Sequence, residues 1–270
     1  MPKTKSPLEH IYQPVKKVET SEILPGYLTN SDSSHAIVVE THNGPKIVNF
    51  CSEDYTLIPN RKLFEPLLAT LKEEYNVQVR AHQYKDSRYF VDFIIKDTPN
   101  YISKKDEVFP KIRFQNSYDG KLKLSLVGGV WRVICSNGAG AFQTSKRQVI
   151  MHTSSIADGV YLQKTQNFLH EFLADQEKVM KPFKEMAAET VLNLEKEVED
   201  VLDSTDFPRR WKEPVIGRFI EETKTLGLPP SRFVLYNAFN FQLNHNRELA
   251  MEENKRDVLD EEVFEVIYNY

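Results

Sequence analysis

The sequence predicts an α+β protein, with antiparallel β-hairpins and a packed helix in its N-terminal half, followed by a helical C-terminal half. Two observations predict this class. Apolar and polar residues alternate with a period of two along several segments of the first half, which is typical of strands. In the second half the apolar residues recur every three or four positions, which is typical of amphipathic helices.

The first predicted elements are a β-hairpin and a helix. An Asn-Gly pair at 43–44 is a strong turn signal between the strand-like segments 35–39 and 46–51. A helix opens near residues 59–60, and Pro66 is expected to kink it or delay its start because proline lacks a backbone N–H. The apolar residues of this helix recur at helical spacing: Leu63, Phe64, Leu67, Leu68 and Leu71.

A second hairpin is predicted over residues 77–96, with its turn at 85–87. In its return strand Tyr89, Val91 and Phe93 alternate with residues that include one carboxylate. We therefore expect a hairpin with one clearly apolar face.

A third hairpin, within residues 111–126, carries the main functional signal. A two-residue Asp-Gly loop would mix apolar and basic residues on each face of the hairpin. A three-residue loop, 118–120, pairs Phe114 with Leu124 and places Gly120 in the left-handed position that suits glycine. One face is then apolar, and the other carries Lys111, Arg113, Lys121 and Lys123.

This basic cluster has two interpretations. Like charges this close on a sheet oppose each other, so the cluster is either a solvated positive face or a phosphate-binding face. For single-stranded nucleic acid, whose bases stack on aromatic rings, Tyr118 is expected at the exposed tip of the hairpin as the best placed of five candidate platforms, with Tyr84, Tyr89, Tyr101 and Trp131. Further cations flank the hairpin along the chain: Lys104, Lys105, Lys146 and Arg147.

The charge distribution and the element pattern together predict three regions. Residues 1–34 contain four prolines and are predicted as an extended arm, 35–153 as a basic β-rich domain, and 154–270 as an acidic helical region packed on it. Residues 1–153 hold 21 Lys+Arg against 16 Asp+Glu, whereas residues 154–270 hold 14 against 23. Such an asymmetry indicates either a polyanion-binding half or two halves that attract each other.

The acidic region is predicted to contain five helices, the first with its apolar residues between Leu162 and Leu173. One long amphipathic helix is expected from Phe183 to Val201, and a later one stops at Gly227. Another begins around 229–231, where Phe239 and Phe241 do not share a helix face, so one of them is expected to be exposed. A short acidic helix, 260–268, ends the chain.

No catalytic constellation, metal-ligand spacing or cofactor motif stands out in the sequence. His170-Glu171 lacks the second histidine of a zinc-protease motif, and Cys51 and Cys135 form no zinc spacing. No apolar run reaches the roughly 18–20 residues of a membrane helix, and no apolar core follows the basic N-terminus as in a secretory signal. We therefore expect a non-enzymatic, cytoplasmic protein without a cofactor, a metal or a membrane partner.

Three stretches resemble an uncharacterised phage/plasmid-like protein family that carries a domain of unknown function. They are LIPNRKLFEP at 57–66, PKIRFQNSYDG at 110–120 and WRVICSNG at 131–138. The resemblance covers roughly residues 25–250 and implies a genetic setting, the cytoplasm of a bacterial host, without supplying catalytic residues. A weaker similarity at fold level points to phage single-strand annealing proteins, which assemble into rings or filaments and hold DNA in a basic groove.

Three hypotheses about function follow. The first is a homo-oligomeric single-stranded DNA-binding protein of phage or plasmid DNA metabolism, with strand annealing as a candidate activity. The second is a phage interaction or structural protein that acts through protein partners. The third is an enzyme whose site is assembled from distant segments.

Overall fold

The structure is a computed structural model, and it confirms the α+β class. Antiparallel sheets and one long helix occupy the N-terminal half, and helices occupy most of the C-terminal half. None of the helices within the described residues is long and apolar enough to cross a membrane. The residues that the structure describes are 7–27, 29–103, 106–132, 147–150, 160–245 and 253–270.

The strands and helices have the following bounds. The strands are β1 (Val15–Glu19), β2 (His35–Thr41), β3 (Gly44–Cys51), β4 (Val77–Tyr84), β5 (Arg88–Ile95), β6 (Asn100–Ser103), β7 (Asp106–Ser117), β8 (Leu124–Arg132) and β9 (Arg147–Ile150). The helices are α1 (Thr20–Ile23), α2 (Asn60–Glu74), α3 (Val160–Ala174), α4 (Gln176–Ala188), α5 (Leu194–Ser204), α6 (Lys212–Ile220), α7 (Arg232–His245) and α8 (Glu253–Tyr268).

The chain divides into two compact units whose segments interleave along the sequence. Unit 1 comprises 1–97, 112–127 and 146–171. Unit 2 comprises 98–111, 128–145 and 172–270. Strands β7 and β8 therefore contribute residues to both units. The three regions predicted from charge and element pattern stay a prediction.

A three-stranded antiparallel sheet in unit 1 has the order β1-β2-β3. The predicted Asn-Gly turn is confirmed, because Thr41 pairs with Gly44 across the β2–β3 hairpin. The segment predicted as an extended arm contributes strand β1, which pairs along its whole length with β2. The same segment buries Leu8 and Ile11.

The larger sheet has the strand order β4-β5-β7-β8-β9, with β6 paired to β7. The predicted β4–β5 hairpin is confirmed, with Val77 opposite Ile95 and Tyr84 opposite Arg88. Every residue of β5, including Asp92, is buried, so both faces of this strand are covered. On the apolar face the ring of Phe114 lies between Phe93 and Phe64 of α2.

Helix α2 begins at the predicted position and tolerates an internal proline. Pro66 has no N–H to donate to the carbonyl of Lys62 four residues earlier. That carbonyl instead accepts a hydrogen bond of 2.9 Å from the Tyr161 hydroxyl of α3. The proline thus frees an acceptor that links two helices of unit 1.

The helix predicted from Phe183 to Val201 is wrong, because α4 and α5 are separate helices. Residues 189–193 leave the helical path, and Thr190 forms an isolated bridge with Ser231. The Asn193 side chain then accepts from the N–H of Lys196 and caps α5.

Of the other helices of unit 2, α6 and α7 follow the predicted positions, whereas α8 begins at Glu253 and is longer than the predicted helix 260–268. After α6 the helix widens into a π-helical turn, Glu221–Thr225, and ends at Gly227 with φ of +65°. In α7, Phe239 is fully buried, whereas Phe241 is only partly buried.

Candidate nucleic-acid interface

The tight turn between β4 and β5 presents a lysine to solvent. Lys85 and Asp86 both adopt left-handed backbone conformations, with φ of 53° and 61°. Such a turn matches the twist of the paired strands, although it costs non-glycine residues some conformational energy. Lys85 is exposed, and its Nζ lies 5.1 Å from the centre of the half-buried Tyr84 ring.

The Asp119 carboxylate joins this turn to the β7–β8 loop. It accepts hydrogen bonds from Arg88 Nε at 2.7 Å, from Ser87 Oγ at 3.0 Å and from the N–H of Lys121 at 3.0 Å. The N–H of Tyr118 also donates to the Ser87 carbonyl at 2.8 Å. Two turns from separate hairpins therefore form one braced surface.

The β7–β8 loop is longer than predicted. Strand β7 ends at Ser117 and β8 begins at Leu124, so the expected three-residue loop is wrong. The Ser117 hydroxyl donates to the Leu122 carbonyl and accepts from its N–H, which replaces the expected strand pairing of Ser117 with Lys121. The left-handed position of Gly120 is confirmed, with φ of +69°.

The expected exposure of Tyr118 is wrong. Its side chain is fully buried, and its ring packs against Tyr89 with the ring centres 5.0 Å apart. Its hydroxyl oxygen accepts a hydrogen bond of 2.6 Å from the backbone N–H of Asn60, at the start of α2. Tyr118 thus anchors the base of the loop and presents no face on which a nucleobase could stack.

The expected basic face of the third hairpin does not form as one exposed cluster. Lys111 is only 3% exposed. Arg113 makes a two-pronged ion pair with the buried Asp92, with Nε–Oδ1 and Nη2–Oδ2 distances of 2.7 and 3.0 Å. Lys121 and Lys123 lie in the loop and are exposed, and within the described residues neither makes an ion pair.

Four exposed lysines and the half-buried Tyr84, which lie at or near the ends of three hairpins of unit 1, define what we call the hairpin-tip surface. Its members are Lys46, Tyr84, Lys85, Lys121 and Lys123. Lys46 reaches Asp86 with an Nζ–Oδ2 distance of 3.2 Å, and Asn49 of the same strand lies beside Gly120. The surface therefore includes lysines from three hairpins of unit 1, and its half-buried Tyr84 ring lies beside Lys85 and Arg88.

Four predicted flanking cations have no described side-chain position. Lys104, Lys105 and Lys146 lie outside the described residues. Arg147 begins strand β9, where its backbone pairs with Val127 of β8, and its side chain is outside the described part.

The sequence pointed to Tyr84 as one of several candidate aromatic platforms but did not point to Lys46 and Lys85 as members of this surface. Lys85 was assigned only to a turn, and Lys46 only to a strand. The one signal that could have found them is that charged residues at the tips of neighbouring hairpins in a sheet meet at the same end.

Replacing Asp119 by Asn is expected to destabilise unit 1 in a pH-dependent way. Burial opposes ionisation, but hydrogen bonds from Arg88, the Lys121 N–H and Ser87 outweigh it and lower the pKa of Asp119. The stabilisation is therefore present above the unfolded value of about 3.9 and is lost as the pH falls through the folded value. We expect a loss of roughly 1.5–3 kcal/mol at pH 7, measured by urea unfolding.

The control for this prediction is Asp86→Asn, because that more exposed carboxylate pairs only with the exposed Lys46. We expect it to change the free energy of unfolding by less than about 1 kcal/mol. An equal loss for Asp119→Asn at pH 3 and pH 7 would contradict the assigned role of the charge.

Unit 2 contains a second cluster of charges, but it is closed to solvent. Arg132 donates through Nε and Nη2 to Asp106, and through Nη1 to Glu222 at 2.7 Å. All three side chains are buried, and Arg218 donates to the other oxygen of Glu222 at 3.0 Å. The burial of this cluster of charges indicates a structural role. Among the described residues, no group of His, Cys, Asp and Glu side chains is placed to hold a metal ion.

Comparisons with known proteins identify a family and nothing closer. No curated protein and no solved structure matches the chain. A family model described as a domain of unknown function, DUF932, matches residues 48–259, which include α2, the larger sheet and helices α3 to α7. Because this match spans most of the sequence, the chain belongs to the DUF932 family.

Proposed function

We propose that this protein binds single-stranded nucleic acid, most simply single-stranded DNA, through the hairpin-tip surface. The observation that carries the proposal is the group of exposed lysines, Lys85, Lys121 and Lys123, on two turns that Asp119 joins, with the Tyr84 ring beside Lys85. Single-strand binding needs cations for the phosphates and an aromatic side chain for the bases, and this surface supplies both. Its bracing by Asp119 fixes the backbone of both turns before the ligand arrives, which lowers the entropic cost of binding.

The expected salt dependence follows from the number of cations. Each phosphate neutralised on a single strand contributes about −0.7 to the slope of log K against log salt concentration. Lys46, Lys85, Lys121 and Lys123 together would give a slope between about −2 and −3. Binding of this kind is weak and reads no sequence, so we expect little preference among oligonucleotides of different composition.

The wider setting is also part of the proposal. The resemblance to phage/plasmid-like proteins favours a role in phage or plasmid DNA metabolism in the cytoplasm of a bacterial host. The weaker similarity to annealing proteins favours strand annealing by a homo-oligomer. In such an oligomer each copy makes one weak contact with the DNA, and the contacts together give a higher overall affinity.

The test is fluorescence anisotropy of a labelled single-stranded oligonucleotide across a salt series. The variant Lys85→Ala/Lys121→Ala/Lys123→Ala is expected to bind roughly tenfold or more weakly at low salt. Its slope of log K against log salt concentration should be less negative than that of the wild type by about 2. The matched control is Lys16→Ala/Lys72→Ala/Lys164→Ala, which removes three exposed lysines elsewhere in unit 1 and should bind as the wild type does.

Two results would contradict the proposal. One is an equal loss for both triple variants, which would mean that only net charge matters. The other is no binding by the wild type even at low salt. The second result would favour the alternative function, a non-enzymatic interaction or structural protein acting through protein partners. An unusually exposed leucine in unit 2, Leu192, supports that alternative.

A further inference from the structure

Leu192 is presented to solvent on a fixed loop of unit 2. Its side chain is 90% exposed, although it lies between two well-formed helices, α4 and α5. The loop 189–193 is held by three hydrogen bonds: Val191 N–H to Pro230 O, Arg232 N–H to Glu189 O, and Leu192 N–H to Glu197 Oε1. Because the backbone of the loop is already held, it loses little further entropy on binding.

The surroundings of Leu192 are acidic. Glu189 and Glu195 flank it and are exposed. Unit 2 as a whole has 17 Lys+Arg against 23 Asp+Glu, whereas unit 1 has 18 against 16. The Leu192 loop therefore combines one apolar side chain with negative charge, and it suits a pocket that is apolar inside and positive at its rim.

Unit 1 contains a pocket of that description at the start of α2. Its volume is about 580 Å³, which is several times that of a leucine side chain. Arg61, Lys62 and Glu65 are its charged residues, and because Arg61 is already paired with Glu9 and Glu65, Lys62 is the cation that gives the rim its positive charge. The apolar walls come from Leu57, Ile58, Pro59, Pro66, Tyr161 and Leu162.

Two features leave the rim of this pocket receptive to a carboxylate. Lys62 is exposed and makes no ion pair within the described residues. The first turn of α2 contains no acidic residue, and Pro59 provides no side-chain cap for its N–H groups. A carboxylate from another molecule would complement both the lysine and the positive end of the helix.

We propose that copies of this chain assemble head to tail, with Leu192 of one copy inserted into the α2 pocket of the next. Glu189 and Glu195 would then lie near Lys62. Both halves of the contact occur on every chain at different places, so the contact is heterologous and each copy can bind two others. Rings or filaments form by repetition of this one contact, and neither half involves the hairpin-tip surface.

The experiment is sedimentation velocity of the full chain over a concentration series without nucleic acid. The mass of the wild type is expected to rise above the 31.4 kDa of one chain. Leu192→Asp and Lys62→Glu should each stay at the mass of one chain. Val258→Asp, which alters another exposed apolar residue of unit 2, should assemble as the wild type does.

Mixing the two variants that do not assemble distinguishes this head-to-tail contact from a symmetric one. Leu192→Asp keeps a working pocket and Lys62→Glu keeps a working leucine, so their mixture should form dimers and nothing larger. The proposal is overturned by a wild type that stays at 31.4 kDa, by a Leu192→Asp variant that assembles, or by a mixture that forms no dimer or assembles beyond it. Because no nucleic acid is present, these outcomes do not depend on the proposed binding function.

Discussion

Replacing Arg132 by Met is expected to destabilise the protein by about 3–5 kcal/mol. The guanidinium is fully buried, pairs with Asp106 through two nitrogens and with Glu222 through the third, and lies 5.2 Å from the centre of the Phe233 ring. Methionine fills part of the volume but removes every donor. Asp106 would then be buried without the arginine that pairs with both of its oxygens. The free-energy cost of burying this charge without Arg132 is far larger than the net stabilisation that the intact ion pair provides.

The measurement is urea unfolding of the wild type and the variant, compared at the same pH. A loss of this size is a large share of the 5–15 kcal/mol that stabilises a typical protein. The control is the triple variant Arg132→Met/Asp106→Asn/Glu222→Gln, which removes both carboxylates as well and should recover much of the loss. A single variant within about 1 kcal/mol of the wild type would show that these carboxylates do not need the arginine.

Replacing Gly128 by Ala is expected to cost about 1–3 kcal/mol or more, although it adds only a methyl group. A Cβ at this position would lie 2.5 Å from both Cδ2 and Cε2 of Phe172, closer than carbon atoms can approach. Phe172 is itself buried, so its ring has little room to move away. The strand or the helix must therefore shift, and thermal unfolding should show a lower Tm.

Gly217→Ala provides the matched control. Gly217 lies inside α6 with nothing within 4 Å of an added Cβ, so alanine should stabilise the helix by roughly 0.5–1 kcal/mol. A second test combines Gly128→Ala with Phe172→Leu, and we expect the two changes together to cost less than their sum. Equal effects of alanine at Gly128 and Gly217 would contradict the close contact.

Local patterns predicted the hairpins well because strand alternation and turn residues act over a few positions. The Asn-Gly turn, the start of α2 and the left-handed Gly120 all follow from such short-range chemistry. The break at 189–193 could not be predicted in the same way, because the apolar spacing continues through it. It depends on a pairing with residues about 40 positions later, between Thr190 and Ser231.

The candidate site was predicted only in part, and the reason is burial. Alternation placed Arg113 and Lys111 on a polar face, but it cannot say whether a strand is covered on both sides. Asp92 gives Arg113 a buried partner on the neighbouring strand, so its charge is used within the sheet. Lys121 and Lys123 remain exposed because they belong to a loop that is longer than the pattern suggested.

The interleaved segments of the two units have a consequence for synthesis on the ribosome. Unit 1 is complete only when residue 171 has emerged, after the first segments of unit 2 have already been made. The Lys62 carbonyl, which Pro66 leaves without its usual helical donor, can bond to the Tyr161 hydroxyl only after Tyr161 has been made, 99 residues later in the chain. A fragment that stops at residue 153 would lack this hydrogen bond. A shortened chain that is meant to fold as unit 1 therefore needs to extend through α3.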